Sequence, residues 1–216
     1  MRTNRRLSIA KLAWLLGFMV AGESARAQVG KSQGLIDINT ASEKDLLALP
    51  HMTEETVKAI VEVRPFESIT ALNRLLLSEK MTPKQAGEIY GKAFVHINLN
   101  TATREEIMLI PGAGRKMSHE FAEYRPWRTW AQFDKEIGKY VGKVETARLA
   151  QYCFIPLNVN KATDEELATI PALSSQTIEQ ISKGKPWKTL DEVRIAVTKT
   201  SGEKEASRVV RYLVAG

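Results

Sequence analysis

The chain holds a single cysteine, Cys153, three histidines, and only 7% aromatic residues among 216. One cysteine excludes an intramolecular disulfide in any redox compartment. Its neighbours Tyr152, Phe154 and Ile155 predict a buried structural thiol rather than a reactive one. His51, His96 and His119 fall at unrelated positions, and no Cys/His or His/carboxylate set has metal-ligand or triad spacing. We therefore expect no catalytic residue, no metal ligand and no enzyme. The apolar run Leu12 to Ala21 is too short to cross a bilayer, which takes about 20 residues of helix, and a charged content of 26% argues against a membrane-embedded protein.

That short run has another meaning. Arg2, Arg5 and Arg6 precede it and Ala25-Arg26-Ala27 follows it, which is the basic, apolar, small-x-small layout of a cleavable signal peptide. We place the leader at 1–27 with the cut after Ala27, by the general secretory route, since Leu7-Ser8-Ile9-Ala10 fits the twin-arginine pattern poorly. The expected location is periplasmic or secreted, without stable membrane insertion once the leader is removed. Cleavage also changes the charge. The whole chain is +6, whereas residues 28–216 hold 26 basic and 24 acidic side chains, a net of +2. Most of the basicity that would suggest a polyanion partner thus belongs to targeting.

Internal repetition dominates the remainder. Asn39-Thr40-Ala41, Asn100-Thr101-Ala102 and Asn160-Lys161-Ala162 recur at spacings of 61 and 60. Leu49-Pro50, Ile110-Pro111 and Ile170-Pro171 do the same, as do Arg64-Pro65-Phe66, Arg125-Pro126-Trp127 and Lys185-Pro186-Trp187. These landmarks divide the chain into unit 1 (35–96), unit 2 (97–156) and unit 3 (157–216). Each reads as four short helices. The first starts at a hydroxyl with an acid three residues on (Ser42/Asp45, Thr103/Glu106, Thr163/Glu166), the signature of an N-terminal cap, and stops at the proline after Leu49, Ile110 and Ile170. The second is stopped by the next proline, the third carries the columns Ile69/Trp130/Leu190 and Leu72/Phe133/Val193, and turns near Thr82, Gly142 and Gly202 open the fourth. We expect an all-α string of helical beads with some mutual contact, joined by short extended linkers such as Val95 to Leu99; each is too small to be robust alone, and packing of neighbours adds stability. Trp127, Trp130 and Trp187 fall in apolar columns and read as core.

The pattern Asn-Thr-Ala, acidic helix, Leu-Pro-Gly-x-Gly, basic helix, Arg-Pro-aromatic resembles the helix-hairpin-helix domain of the ComEA competence family, three times over. The resemblance implies an exported protein that binds double-stranded DNA through the phosphate backbone without sequence preference. It also implies that hairpin carbonyls near Gly112–Gly114 can hold K+ or Na+. Glycine suits such a hairpin because bare N–H groups at a helix start can meet a phosphate closely, while a neighbouring Lys or Arg supplies charge.

Unit 2 keeps this arrangement as Gly112-Ala113-Gly114-Arg115-Lys116, with Gly142-Lys143 as a candidate second jaw. The alternative is that these glycines serve only the turn and the helix cap. Unit 1 has His51-Met52-Thr53-Glu54-Glu55 and unit 3 has Ala172-Leu173-Ser174-Ser175-Gln176 at the first hairpin, so one should repel phosphate and the other be neutral. His119 is three residues beyond Lys116 and reads as a solvated side chain. Units 1, 2 and 3 hold 7, 9 and 9 basic against 9, 7 and 8 acidic residues. Two function classes follow: a DNA-binding protein working through unit 2, or a protein-interaction scaffold on units 1 and 3 that keeps the fold without the activity, as in the extrinsic photosystem subunit PsbU, whose domain is similar.

Overall fold

The computed structural model describes residues 34–216; the expected leader lies outside the described residues. The elements of unit 1 are β1 (Ile36–Asp37), α1 (Glu43–Leu47), α2 (Glu54–Val63), α3 (Ile69–Ser78), α4 (Pro83–Tyr90) and β2 (Ala93–Phe94). Unit 2 comprises β3 (Ile97–Asn98), α5 (Arg104–Met108), α6 (Arg115–Glu123), α7 (Trp130–Ala150) and β4 (Cys153–Phe154). Unit 3 comprises β5 (Leu157–Asn158), α8 (Asp164–Leu167), α9 (Ser175–Lys183), α10 (Leu190–Ser201), α11 (Glu203–Val210) and β6 (Leu213–Val214). The fold is all-α in class, with strands only two residues long. In unit 2 the third and fourth helices are joined as α7, whose path breaks at Gly142 (φ 74°, ψ 170°).

The first helices begin as their caps dictate. Ser42, Thr103 and Thr163 each accept an N–H from the third helical residue. Glu106 and Glu166 reach back to the cap N–H at 2.7 and 2.9 Å, which completes the reciprocal box. In unit 1 the shorter Asp45 instead accepts the Ser42 hydroxyl at 2.6 Å.

The stretches read as extended linkers are strands. Each unit's entry and exit pair in parallel, with Ile36 opposite Ala93, Ile97 opposite Cys153 and Leu157 opposite Leu213. Val95, His96, Ile97 and Leu99 are buried, and buried backbone must find partners. Ile97 N–H donates to Tyr152 O and Leu99 N–H to Phe154 O, both at 3.0 Å.

The recurring landmarks are structural ties. Asn39, Asn100 and Asn160 each donate to the carbonyl and accept the N–H of Phe66, Trp127 and Trp187, at 2.6 to 3.0 Å. The basic residue before each proline donates to Ala41, Ala102 or Ala162, so Arg64, Arg125 and Lys185 are committed to the fold. The X-Pro bonds at 65, 126 and 186 are cis. Phe66, Trp127 and Trp130 are buried and Trp187 packs against the unit 3 core. Trp127 and Trp187 Nε1–H groups donate to Phe121 O and Ile181 O, which satisfies their polar edges.

The mutual contact expected between the units is extensive. One apolar core spans units 1 and 2, from Ile38 to Cys153 and Ile155. Phe94 of unit 1 meets Tyr152 of unit 2 edge-on at 5.0 Å, and a second core starting at Phe154 fills unit 3. Cores of about 60 residues are marginal alone, and sharing walls removes more apolar surface from water. Unit 3 also returns to unit 1. Tyr212 donates to Asp37 at 3.2 Å, Arg211 to His96 O at 3.0 Å and Lys204 to Glu62 O at 3.1 Å. Asp37 and His96 are buried, with Asp37 Oδ2 3.5 Å from His96 Nδ1.

Candidate nucleic-acid interface

The first hairpin of unit 2 leaves α5 at Leu109, turns through Ile110–Gly114 and enters α6. Gly112 adopts φ +79°, the left-handed region, and its counterparts His51 and Ala172 adopt φ 63° and 54°. The turn is therefore kept in all three units, even where a Cβ strains it. Replacing Ala172 with glycine is expected to stabilise the chain by about 0.5 to 1 kcal/mol as that strain is relieved. Gly112→Ala should cost about 1 to 2 kcal/mol, because its Cβ would also stand 3.1 Å from Arg148 Nη2. Denaturant midpoints of the two variants check the opposite signs.

What separates the hairpins is the start of the second helix. The first-turn N–H groups of any helix lack intrahelical partners. In unit 1, Thr53 Oγ1 accepts from Thr56 N–H, and in unit 3, Ser174 Oγ accepts from Thr177 N–H, both at 3.2 Å. The Glu55 carboxylate also accepts its own backbone N–H and the Thr53 hydroxyl, which holds it below the usual carboxylate range. In unit 2, Gly114 occupies the cap position with no side-chain bond. Arg115 and Lys116 follow where unit 1 has Glu54 and Glu55.

The second hairpins sort the same way. Thr82 and Gln85 form a complete capping box at the start of α4. Gly202 caps α11 without a side-chain bond, but the next residue, Glu203, is held there by Thr198 at 2.9 Å and Arg194 at 2.6 Å. Those two contacts lower its pKa, which stabilises an anion at that helix start. Gly142 has no side chain to cap the segment beyond it, and Lys143 comes next. Among the described residues, only unit 2 starts both hairpin helices on glycine with a cation following.

The last helix braces the first hairpin. Arg148 Nη2 donates to Pro111 O at 2.6 Å and its guanidinium pairs with Glu145, an interaction that raises the Arg148 pKa and lowers that of Glu145. Arg208 makes the same bond to Pro171 O with Glu205 as its partner, and in unit 1 His51 Nε2 meets Glu88 at 2.6 Å. Sequence reasoning missed this strut, although Arg148 and Arg208 recur at the repeat spacing and could have signalled it. Lys116 Nζ lies 4.9 Å from the Tyr140 ring centre, so α6 and the approach to Gly142 lie side by side. Unit 3 keeps both turn and strut with Ala172. The fold thus tolerates a side chain where unit 2 has Gly112.

Gly112, Gly114, Arg115, Lys116, Gly142 and Lys143 are exposed. Ala113 lies between them with its side chain 5% exposed and in the core, so its part in the expected site is limited to backbone. One flank of the turn borders a groove of about 530 Å³ walled by Leu77, Pro83 and Tyr90 of unit 1. His119 is exposed and paired with Glu123 at 3.2 Å. Cys153 is fully buried, its Sγ 3.6 Å from Leu149 O, and burial pushes its thiol pKa up.

Several carbonyls around Gly112–Gly114, where the resemblance implies a monovalent cation, already accept hydrogen bonds. Ile110 O accepts Ala113 N–H at 2.9 Å and Gly114 O accepts Ser118 N–H at 3.1 Å. Pro111 O is taken by a guanidinium, so a fixed positive charge already stands beside the turn. Among the described residues no group of three or more His, Cys, Asp or Glu side chains could hold a metal ion, and no helix is long and apolar enough to cross a membrane.

No curated protein and no solved structure matches the chain. Residues 31–89 match the family model described as the helix-hairpin-helix motif. That match falls on unit 1, the unit whose two hairpin helices carry side-chain caps. The chain thus carries a helix-hairpin-helix motif, a module associated with nucleic-acid binding, within an all-α fold.

Proposed function

We propose that this chain is an exported, non-enzymatic protein that binds double-stranded DNA without sequence preference, acting in DNA capture or uptake in the manner of the ComEA family. Units 1, 2 and 3 are read as three copies of the module, of which unit 2 is the working clamp. The observation that carries this reading is the pair of glycine starts at Gly114 and Gly142, each followed by a cation, with Gly114 capping α6 without a side-chain bond. Two helix starts on glycine, with Arg115, Lys116 and Lys143 beside them, suit two phosphates. Gly112 also leaves this exposed turn without a side chain, which suits close approach of a ligand. Export rests on the leader read at 1–27.

A clamp of this size touches two to four phosphates by its cation count. Nonspecific binding should then have a dissociation constant of about 10 to 100 μM, with log K falling against log salt at a slope of about −2 to −4. Titrating the purified chain with duplex DNA over a salt series tests this. Absent binding at low salt, or binding that salt leaves unchanged, would sink it.

The scaffold reading has its own observation: Thr53, Thr82, Ser174 and Glu203 close every hairpin of units 1 and 3. Under it, those units dock a protein partner. Recovery of that partner after nuclease treatment, from a chain that fails to bind DNA, would favour it.

A further inference from the structure

Val144 is 88% exposed, far beyond Ile195 at 53%, the next most exposed large apolar residue among those described. Isolated apolar side chains on a surface are ordinary; the position of this one is not. It is the second residue of the segment that follows the break at Gly142, directly after Lys143. The residues 60 positions to either side are Lys84 and Lys204, so the sister units place a cation at this point of the helix. Nothing in the packing of unit 2 requires valine there. The other exposed large apolar residues of unit 2, Met108 at 45% and Tyr140 at 38%, lie within four residues of Gly112 and Gly142. Unit 2 therefore borders both of its basic hairpins with apolar side chains, and has buried its large apolar residues elsewhere.

Phosphate contacts hold a duplex but do not distinguish one nucleic acid from another. The sugars beside a bound phosphate do, because ribose carries a 2′-hydroxyl where deoxyribose has only C–H. An apolar side chain gains by covering the deoxyribose edge, whereas covering a 2′-hydroxyl strips its water without supplying a partner. Valine suits such a contact because its β-branch leaves little rotamer freedom to lose. We infer that Val144 is a sugar-edge contact that makes the unit 2 clamp favour DNA over RNA. This inference rests on the DNA-binding reading. Lys143, Arg115 and Lys116, the charged neighbours of the apolar rim, make a polyanion the occupant that their charge complements.

Fluorescence anisotropy with short DNA and RNA duplexes of one sequence, across a salt series, tests it on the purified chain, Val144→Thr and Val144→Leu. Thr is close to isosteric with Val and the site is open to solvent, so both variants should keep the parental melting temperature. The parent is expected to bind DNA about three- to tenfold more tightly than RNA. Val144→Thr should lose most of that preference, Val144→Leu should keep it, and the salt slope should be the same for all three, since no phosphate contact changes. Equal affinities of the parent for the two duplexes, or a Val144→Thr variant with the parental ratio, would overturn the inference and leave the clamp standing. A parent that binds neither duplex at low salt would overturn both.

Discussion

Reversing the two charges at the start of α6, Arg115→Glu with Lys116→Glu, is expected to weaken duplex DNA binding by about 100-fold at low salt and to reduce the salt slope by about 2. Both side chains are exposed, and Lys116 lies over the Tyr140 ring. Each reversal removes a phosphate partner and adds a charge that repels the backbone. The effect on folding has the opposite sign. Acids in the first helical turn interact favourably with the positive end of the helix dipole, by about 0.3 to 1 kcal/mol each. The variant should therefore melt no lower than the parent, so loss of binding could not be ascribed to unfolding. Anisotropy and thermal melting on one preparation check both halves. A variant that binds as well as the parent would remove unit 2 as the site.

Asp37→Ala is expected to cost about 3 to 5 kcal/mol, as removal of one partner from a buried charged cluster usually does. Asp37 is 9% exposed. Its carboxylate accepts Asn39 N–H at 2.8 Å and the Tyr212 hydroxyl, and faces His96. Truncation leaves these groups, with Arg211 beside them, enclosed without their anion. Unit 3 should loosen from unit 1 first, since Tyr212 and Arg211 belong to the former.

The pH dependence follows from the same contacts. Burial by itself raises the Asp37 pKa, but the hydrogen bond and charge of His96, the Asn39 N–H and the charge of Arg211 outweigh it, so the carboxyl lies below its ordinary value of 3.8. A carboxyl whose folded pKa is depressed stabilises the fold fully above its unfolded pKa, and that stabilisation is lost as pH falls through the folded value. Denaturant unfolding should thus show the parent losing stability below about pH 4, with a shallower acid limb in Asp37→Ala. Equal limbs would mean that Asp37 is not what holds the seam.

Much of the fold was legible because its signals are local. A hydroxyl followed by an acid three residues later starts α1, α5 and α8, and proline after an apolar column ends them. The site was legible in part, since Gly112, Gly114 and the bases after them follow one another in the chain. The burial of the Ala113 side chain was not legible, because adjacency along a turn does not reveal which side chain points inward. The caps Thr53 and Ser174 were in view as residues, but whether a hydroxyl turns onto a first-turn N–H depends on backbone angles at the cap. The strut from Arg148 to Pro111 spans 37 residues, a distance at which neither helical nor strand periodicity carries information.

Sequence alone determined the all-α class, the repeated landmarks and the position of the basic glycine hairpin, because each is written in residues a few positions apart. The tertiary structure decided that the linkers pair as strands, that units 1 and 2 share one core, and that unit 3 closes onto Asp37. It also decided which helix starts remain open. Those outcomes depend on burial, which obliges distant backbone and charged groups to find partners that the order of residues does not name.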